Sequence, residues 1–266
     1  MQQIFLNILT QIARGEKTPE NALHELGQAP FSNMVQGLNL DYHRELRTGL
    51  GEVIFAERKS LPDLVAAIKN LKTRQTTEKN ITARANNVLV TRVLPEQARA
   101  LTDNFPESEY WPEARLFAIG PRLELSPPWQ SKGEVIIVTA GASDLPVALE
   151  ALGSARFFSL NAGLITDVGV AGIHRLAPHL EHLSRAKLVI AIAGMEGALP
   201  SVLAGLLPCP ILGVPTSVGY GVSAGGYSAL MGMLASCAPG LSVMNIDNGF
   251  GAAAFAAKLL NNLYQK

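Results

Sequence analysis

Between Leu188 and Ala193 six apolar residues run without alternation into a corner, Gly194-Met195-Glu196-Gly197, and the chain then continues as a second apolar segment of helical character to Leu207. An unbroken apolar run of that length suits a strand covered on both faces, as in the middle of a parallel sheet. The unit recurs along the second half of the chain. Strands are expected at 135–139, 164–168, 188–193, 211–214 and 241–246, with helices beginning near Leu145, His174, Leu199, Ser223 and Gly249. Strand–helix alternation of this kind predicts an α/β fold, a three-layer doubly wound parallel sheet, because crossover handedness leaves few other topologies.

The first 120 residues read differently. Ile4, Phe5, Ile8, Leu9 and Ile12 share one helical face with Gly15 as a stop, and Thr18-Pro19-Glu20 restarts a helix that ends near Gly27. A polar, charge-rich segment, 40–47, precedes a short strand at 52–56. A helix capped at Ser60 runs to about Leu71, followed by a strand at 87–93, a helix at 95–105 and a strand at 114–119. This is a small α+β domain, 1–120. Pro121, Pro127 and Pro128 mark a linker at 121–133, and an α/β domain then spans 134–266.

Composition excludes several classes of function. Lys plus Arg and Asp plus Glu both number 22, so the net charge of zero offers no electrostatic footing for a nucleic-acid backbone or an anionic membrane. A small phosphorylated ligand held by local groups stays open. Cys209 and Cys237, the two cysteines, cannot make a disulfide framework or a cysteine-rich zinc site. The first residues lack the basic segment and long apolar run of a signal peptide, and later apolar stretches are interrupted too often to span a membrane. A soluble, cytoplasmic protein is expected.

In a doubly wound sheet, ligands bind outside the carboxyl ends of the strands. The five corners there are Ala140-Gly141-Ala142-Ser143-Asp144, Gly169 to Arg175, Gly194 to Gly197, Pro215 to Gly221 and Asn245 to Gly249. Each carries glycine plus a polar group, which together point to one small-molecule site. Candidate binding residues are Gly141, Ser143, Asp167, Gly172, Arg175, Gly194, Gly197, Gly219, Gly221 and Asn248, with Asp144, His174 and Glu196 as candidate catalytic groups. Each has a plainer reading. Ser143 and Asp144 could cap a helix rather than hold a phosphate or a sugar hydroxyl. His174 and Arg175 could be a surface pair rather than a proton shuttle and an anion fork. Glu196 could be the first-turn acid of the next helix. Gly219 to Gly225 has the wrong spacing and position for a dinucleotide fingerprint. Cys209, between two prolines, reads as a small buried hydrophobe, and Cys237 on spacing alone reads the same way.

At these corners the chain resembles a known family. Ala140 to Asp144, Gly172 to Arg175, Leu199-Pro200 and Gly213 to Pro215 are similar to the core of the aminoimidazole-ribonucleotide carboxylases and mutases of purine synthesis. Ala198 stands where those enzymes have their catalytic histidine. The longer runs Asp167 to Arg175, Gly194 to Gly197 and Ser236 to Gly240, with Leu40-Asp41, Arg44 and Gly51 to Phe55, instead resemble LarB, the pyridinium-3,5-biscarboxylic acid mononucleotide synthase of nickel-pincer cofactor biosynthesis. That resemblance implies carboxylation of nicotinic acid adenine dinucleotide at pyridinium carbon 5, with carbon dioxide or bicarbonate as co-substrate and hydrolysis of the phosphoanhydride to release AMP. It also implies a magnesium ion, whose ligands the sequence does not identify, and a homo-oligomer between a dimer and an octamer. A pyridinium ring is too electron-poor to attack carbon dioxide unless a nucleophile first adds to it. Cys237 and Glu196 match the nucleophile and the base that such chemistry needs. Cys237 closes a helix, however, so within its own subunit it belongs at the amino-terminal edge of the sheet, away from the corners. A purine-type carboxylase or mutase and a non-catalytic nucleotide-binding protein are the alternatives on the same scaffold.

Overall fold

The computed structural model describes residues 2–22, 32–35, 38–41, 44–77 and 87–264. Two compact units emerge, one of 1–110 with 117–121, the other of 111–116 with 122–266. No helix among the described residues is long and apolar enough to cross a membrane.

The first unit opens on α1 (Gln2–Ala13), which ends at Gly15 as its pattern requires. Thr18 Oγ1 then accepts the Asn21 N–H at 3.2 Å, the predicted cap; the end of that helix near Gly27 lies outside the described residues. Two strands that the sequence did not announce, β1 (Ser32–Val35) and β2 (Leu38–Asp41), form an antiparallel pair, and the polar segment after them becomes the short helix α2 (Arg44–Thr48). Then come β3 (Ile54–Phe55), α3 (Leu61–Thr77), β4 (Val88–Thr91), α4 (Pro95–Asn104), β5 (Glu109–Trp111) and β6 (Leu116–Ile119). The strands order as β3-β4-β6-β5, with β3 parallel and β6 antiparallel to β4. Ile54, Leu64, Ile68, Val88, Val90, Leu101 and Phe117 form the core that α3 and α4 cover.

The second unit is the doubly wound sheet. Its strands are β7 (Val135–Thr139), β8 (Ala162–Ile165), β9 (Leu188–Ala193), β10 (Ile211–Pro215) and β11 (Leu241–Val243). They lie in the order β11-β10-β9-β7-β8, and the recorded pairings are all parallel. The chain winds outward in one direction from β7 to β8 and in the other from β9 to β11, so the topological switch point falls between β7 and β9. Those strands are the most deeply buried because both faces of the sheet are covered. On one face Val189, Ala191 and Ala193 meet the helices α7 (Ala198–Leu206) and α8 (Tyr227–Leu234). The helices α5 (Leu145–Phe157) and α9 (Gly249–Tyr264) pack closely on each other, and their buried alanines, Ala148 and Ala151 on one and Ala252, Ala253, Ala256 and Ala257 on the other, make the close approach possible.

Several boundaries differ from the sequence pattern. β8 ends at Ile165, short of Val168, because Asp167 holds φ at +58° and turns the chain into its corner. β11 stops at Val243, although the Met244 and Asp247 N–H groups still donate to the Gly213 and Pro215 carbonyls of β10 at 2.8 and 2.9 Å as the chain turns into the last corner. The helix expected from His174 is instead a pair of 3-10 turns, 170–175 and 177–179, followed by the single turn α6 (Leu180–Ser184). The helix expected from Ser223 starts as α8 only at Tyr227, after Gly225 and Gly226, both at positive φ. The proline-rich segment after Arg122 belongs to the second unit. Trp129 Nε1 donates to the Leu125 carbonyl at 2.8 Å, and the Gln130 carbonyl accepts the Leu164 N–H at 2.7 Å.

Candidate active site

The carboxyl ends of β7 and β9 open on a cleft of about 300 Å³ at the switch point. Residues from four of the five corners line it: Gly141, Ser143 and Asp144 after β7, Gly169, Val170, Ala171 and Arg175 after β8, Gly194, Met195 and Glu196 after β9, and Val218 after β10.

The third corner is shaped by close approach. The Met195 N–H donates to the Val218 carbonyl at 3.1 Å, and a Cβ on Gly194 would sit 2.2 Å from that same oxygen, so no other residue fits there. Gly197 caps α7 in a left-handed conformation, φ +67°, with its N–H donating to the Gly194 carbonyl at 2.9 Å. Glu196 therefore stands before the cap, outside the helix. It is exposed on the cleft wall, and no side chain among the described residues pairs with its carboxylate. The first-turn reading fails on this geometry, because α7 itself begins only at Ala198.

Asp144 is the opposite kind of acid. It is 3% exposed, accepts the Thr216 hydroxyl on Oδ1 at 2.7 Å, and accepts the Gly141 N–H on Oδ2 at 2.9 Å. Burial raises its carboxyl above the ordinary value of 3.8, and the nearby Asp247 charge adds to that. Hydrogen bonds from Thr216 and from the Gly141 and Gly194 amides pull the other way. Arg175 reaches the cleft while its Nη1 holds Asp167 Oδ2 at 2.5 Å. Asp167 in turn is tied to β7 by its N–H, which donates to Thr139 Oγ1 at 3.0 Å.

The structure thus gathers Gly141, Ser143, Asp144, Arg175, Gly194 and Glu196 around one cleft. His174 is exposed and outside the lining, and Gly172 is buried against the Arg175 guanidinium. Gly219 packs against the Ser223 carbonyl, Gly221 bends the fourth corner at φ +57°, and Asn248 Oδ1 accepts the Gly251 N–H at 2.8 Å, which caps α9. Cys237 is exposed just beyond the carboxyl end of α8 and does not line the cleft, as its place after a helix implied. Cys209 is half-buried away from the cleft, and burial pushes its thiol up. Thr216 was not singled out in the sequence, since a threonine after a strand carries no signal of its own.

A family model described as the LarB/PurE-like N-terminal domain matches residues 33–121, and one for AIR carboxylase matches residues 134–266. The chain belongs to the LarB family. A relative from Methanocaldococcus jannaschii, described as an uncharacterized protein, is 36% identical over 238 residues, which cover 88% of each chain. The N5-carboxyaminoimidazole ribonucleotide mutase of the same organism is 32% identical over 131 residues, covering 47% of this chain and 78% of that one. A crystal structure of a PurE2 variant from Treponema denticola covers 48% of this chain and 79% of its own, at 23% identity and a TM-score of 0.37. The second unit of this LarB-family chain is a PurE-like, flavodoxin-like α/β domain, and the domain pair makes it a carboxylase-type protein.

Proposed function

We propose that the protein carboxylates nicotinic acid adenine dinucleotide at pyridinium carbon 5 and hydrolyses its phosphoanhydride, giving pyridinium-3,5-biscarboxylic acid mononucleotide and AMP. The observation that carries this reading is one cleft in which Glu196 stands unpaired among the described residues and position 198 is alanine, in a chain that also has a LarB-type first domain. The LarB-type first domain favours this reading over a plain ribonucleotide mutase, as does alanine at position 198, where those enzymes are expected to carry a histidine.

In this reading the Cys237 thiolate adds to ring carbon 4 or 6, and the electron pair displaced moves onto the ring nitrogen. The resulting dihydropyridine is an enamine whose carbon 5 forms the new bond to carbon dioxide. Glu196 takes the proton from carbon 5, the ring electrons return, and the carbon–sulfur bond breaks to release thiolate. Ser143 and Arg175 face the phosphates, where Arg175 exchanges Asp167 for the ligand. Among the described residues no group of three or more His, Cys, Asp or Glu side chains is placed to hold a metal. A protein cage for magnesium does not fit this site; an ion bound to the substrate's own pyrophosphate, keeping its waters, is compatible with it.

Cys237 reaches a cleft in this reading through a second copy of the chain. Tyr227, Met231 and Leu234 are 60–67% exposed on one face of α8, Tyr220 and Val222 in the corner before it are exposed as well, and Cys237 follows its carboxyl end. Two copies joined along that face about a two-fold axis would set the foot of one α8 against the head of the other, beside the neighbour's Val218.

Mass spectrometry of the protein incubated with the dinucleotide, bicarbonate and magnesium tests the reading. AMP and a mononucleotide heavier by one carboxylate are expected, and Cys237→Ala or Glu196→Gln should each abolish them. Random mixed dimers of those two variants should regain about a quarter of wild-type turnover, since half of the dimers carry one intact shared site. Unchanged dinucleotide alongside turnover of a carboxyaminoimidazole ribonucleotide would establish the mutase instead.

A further inference from the structure

We propose that Thr216 is a positioning residue of the cleft, whose hydroxyl fixes the Asp144 carboxylate and through it the spacing of the first and fourth corners. Thr216 follows the last strand residue of β10 and is fully buried. Its N–H prolongs the sheet by donating to the Ala193 carbonyl at 3.0 Å, which holds it level with the start of the third corner. From that point its hydroxyl donates to Asp144 Oδ1 at 2.7 Å, while Asp144 Oδ2 takes the Gly141 N–H at 2.9 Å.

A carboxylate offers about four acceptor positions. Two are occupied by groups from the first and fourth corners, which fix the direction in which the carboxylate faces the cleft. The next residue extends the frame, as the Ser217 N–H donates to Asp247 Oδ1 at 2.8 Å and ties in the fifth corner. The charged groups around Asp144 are Asp247, from the corner after β11, and Arg175 and Glu196 across the cleft. Thr216 is the neutral donor to the buried oxygen, so without its hydroxyl Oδ1 would be stranded beside a second acid.

A free position on Asp144 suits a ligand hydroxyl. Identifying that ligand as nicotinic acid adenine dinucleotide rests on the function proposed above, but the positioning role does not. Thr216→Val keeps the shape of the side chain and deletes the hydroxyl, whereas Thr216→Ser keeps the hydroxyl. Carbon-13 NMR of the labelled aspartates, with Asp144→Asn to assign the signal, follows the titration of Asp144. Calorimetry at pH 6 and pH 8 follows dinucleotide binding.

The valine variant should titrate Asp144 at higher pH than wild type. It should bind the dinucleotide about tenfold more weakly, the equivalent of one charge-assisted hydrogen bond, with the larger loss at pH 6. Serine should restore both, and in an Asp144→Asn background the valine change should add little. A folded valine variant that titrates and binds as wild type overturns the proposal, as does a serine variant as defective as valine, since packing rather than the hydroxyl would then be responsible. If wild type fails to bind the dinucleotide while the valine variant still shifts the titration, the functional reading falls and the positioning role stands.

Discussion

In the second unit, two clefts of similar size lie on opposite edges of one sheet, and the charged groups that stand out in them are held differently. At the amino-terminal edge a cleft of about 360 Å³ is lined by Arg122, Glu124, Gln130, Arg156, Ser159 and Asn161. There the Arg156 guanidinium donates to the carbonyls of Leu123 at 2.9 Å, Glu124 at 2.6 Å and Ala162 at 3.4 Å, so its donors serve the fold. At the carboxyl-terminal edge the cleft of about 300 Å³ leaves the Glu196 carboxylate unpaired among the described residues. A polar cavity alone is thus a poor sign of function in this molecule. What separates the two is one charged group in each: the Arg156 guanidinium is satisfied by backbone carbonyls, whereas the Glu196 carboxylate has no partner among the described residues.

The largest effect expected from breaking that difference is at Gly194. In Gly194→Ala the new methyl would lie 2.2 Å from the Val218 carbonyl and 2.8 Å from Thr216 Oγ1, both held in hydrogen bonds. Overpacking there should cost about 1–3 kcal/mol of stability. The fourth corner must also move outward, and a displacement of about 1 Å in the groups that position a substrate can cost about a hundredfold in rate. Urea unfolding and product formation by mass spectrometry measure the two losses; turnover within twofold of wild type would show that the corner is not held as tightly as the structure implies.

How far the sequence reveals this site depends on the kind of signal each residue carries. β7 and β9 are unbroken apolar runs, and their boundaries follow from that pattern alone, as does the start of α5 at Leu145. Glu196 stood out because it is a lone acid in an apolar corner. The β1–β2 pair and β5 gave no such signal, since polar residues interrupt them and tertiary pairing supplies what propensity does not. Thr216 was silent for another reason. Its role depends on Asp144, 72 residues away in sequence, and only the strand order brings the two together. Cys237 shows the converse: its place at the end of a helix correctly put it outside its own cleft.

At the other edge, Arg156→Met should separate stability from activity. The three carbonyls it serves would lose their partner, while the methionine keeps much of the apolar stem's packing. A loss of about 1–3 kcal/mol in urea unfolding is expected, with kcat and KM for the dinucleotide within twofold of wild type. A selective rise in KM at unchanged stability would instead make the second cleft a ligand site and dissolve the contrast between the edges.

The smallest effect is the most specific, because it concerns the sign of a pH dependence. Burial raises the Asp144 carboxyl in the folded state above 3.8, its ordinary value. Between the ordinary and the raised value the folded protein therefore binds more protons than the unfolded chain, and this group's contribution to stability falls as pH rises through that window. A carboxylate held mainly by opposite charge would give the reverse slope. Asp144→Asn removes the titration and keeps the shape. Relative to wild type the variant should gain ground between pH 4 and pH 7, and at pH 7 its stability should lie within about 1 kcal/mol of wild type, since relief from burying a charge offsets the loss of charge-assisted hydrogen bonds. The same variant should bind the dinucleotide more weakly at every pH. Urea unfolding across that range reads the slope directly. If wild type gained on the variant toward neutral pH, the Thr216, Gly141 and Gly194 donors would outweigh burial, and Asp144 would be an acid that the cleft stabilises in its charged form.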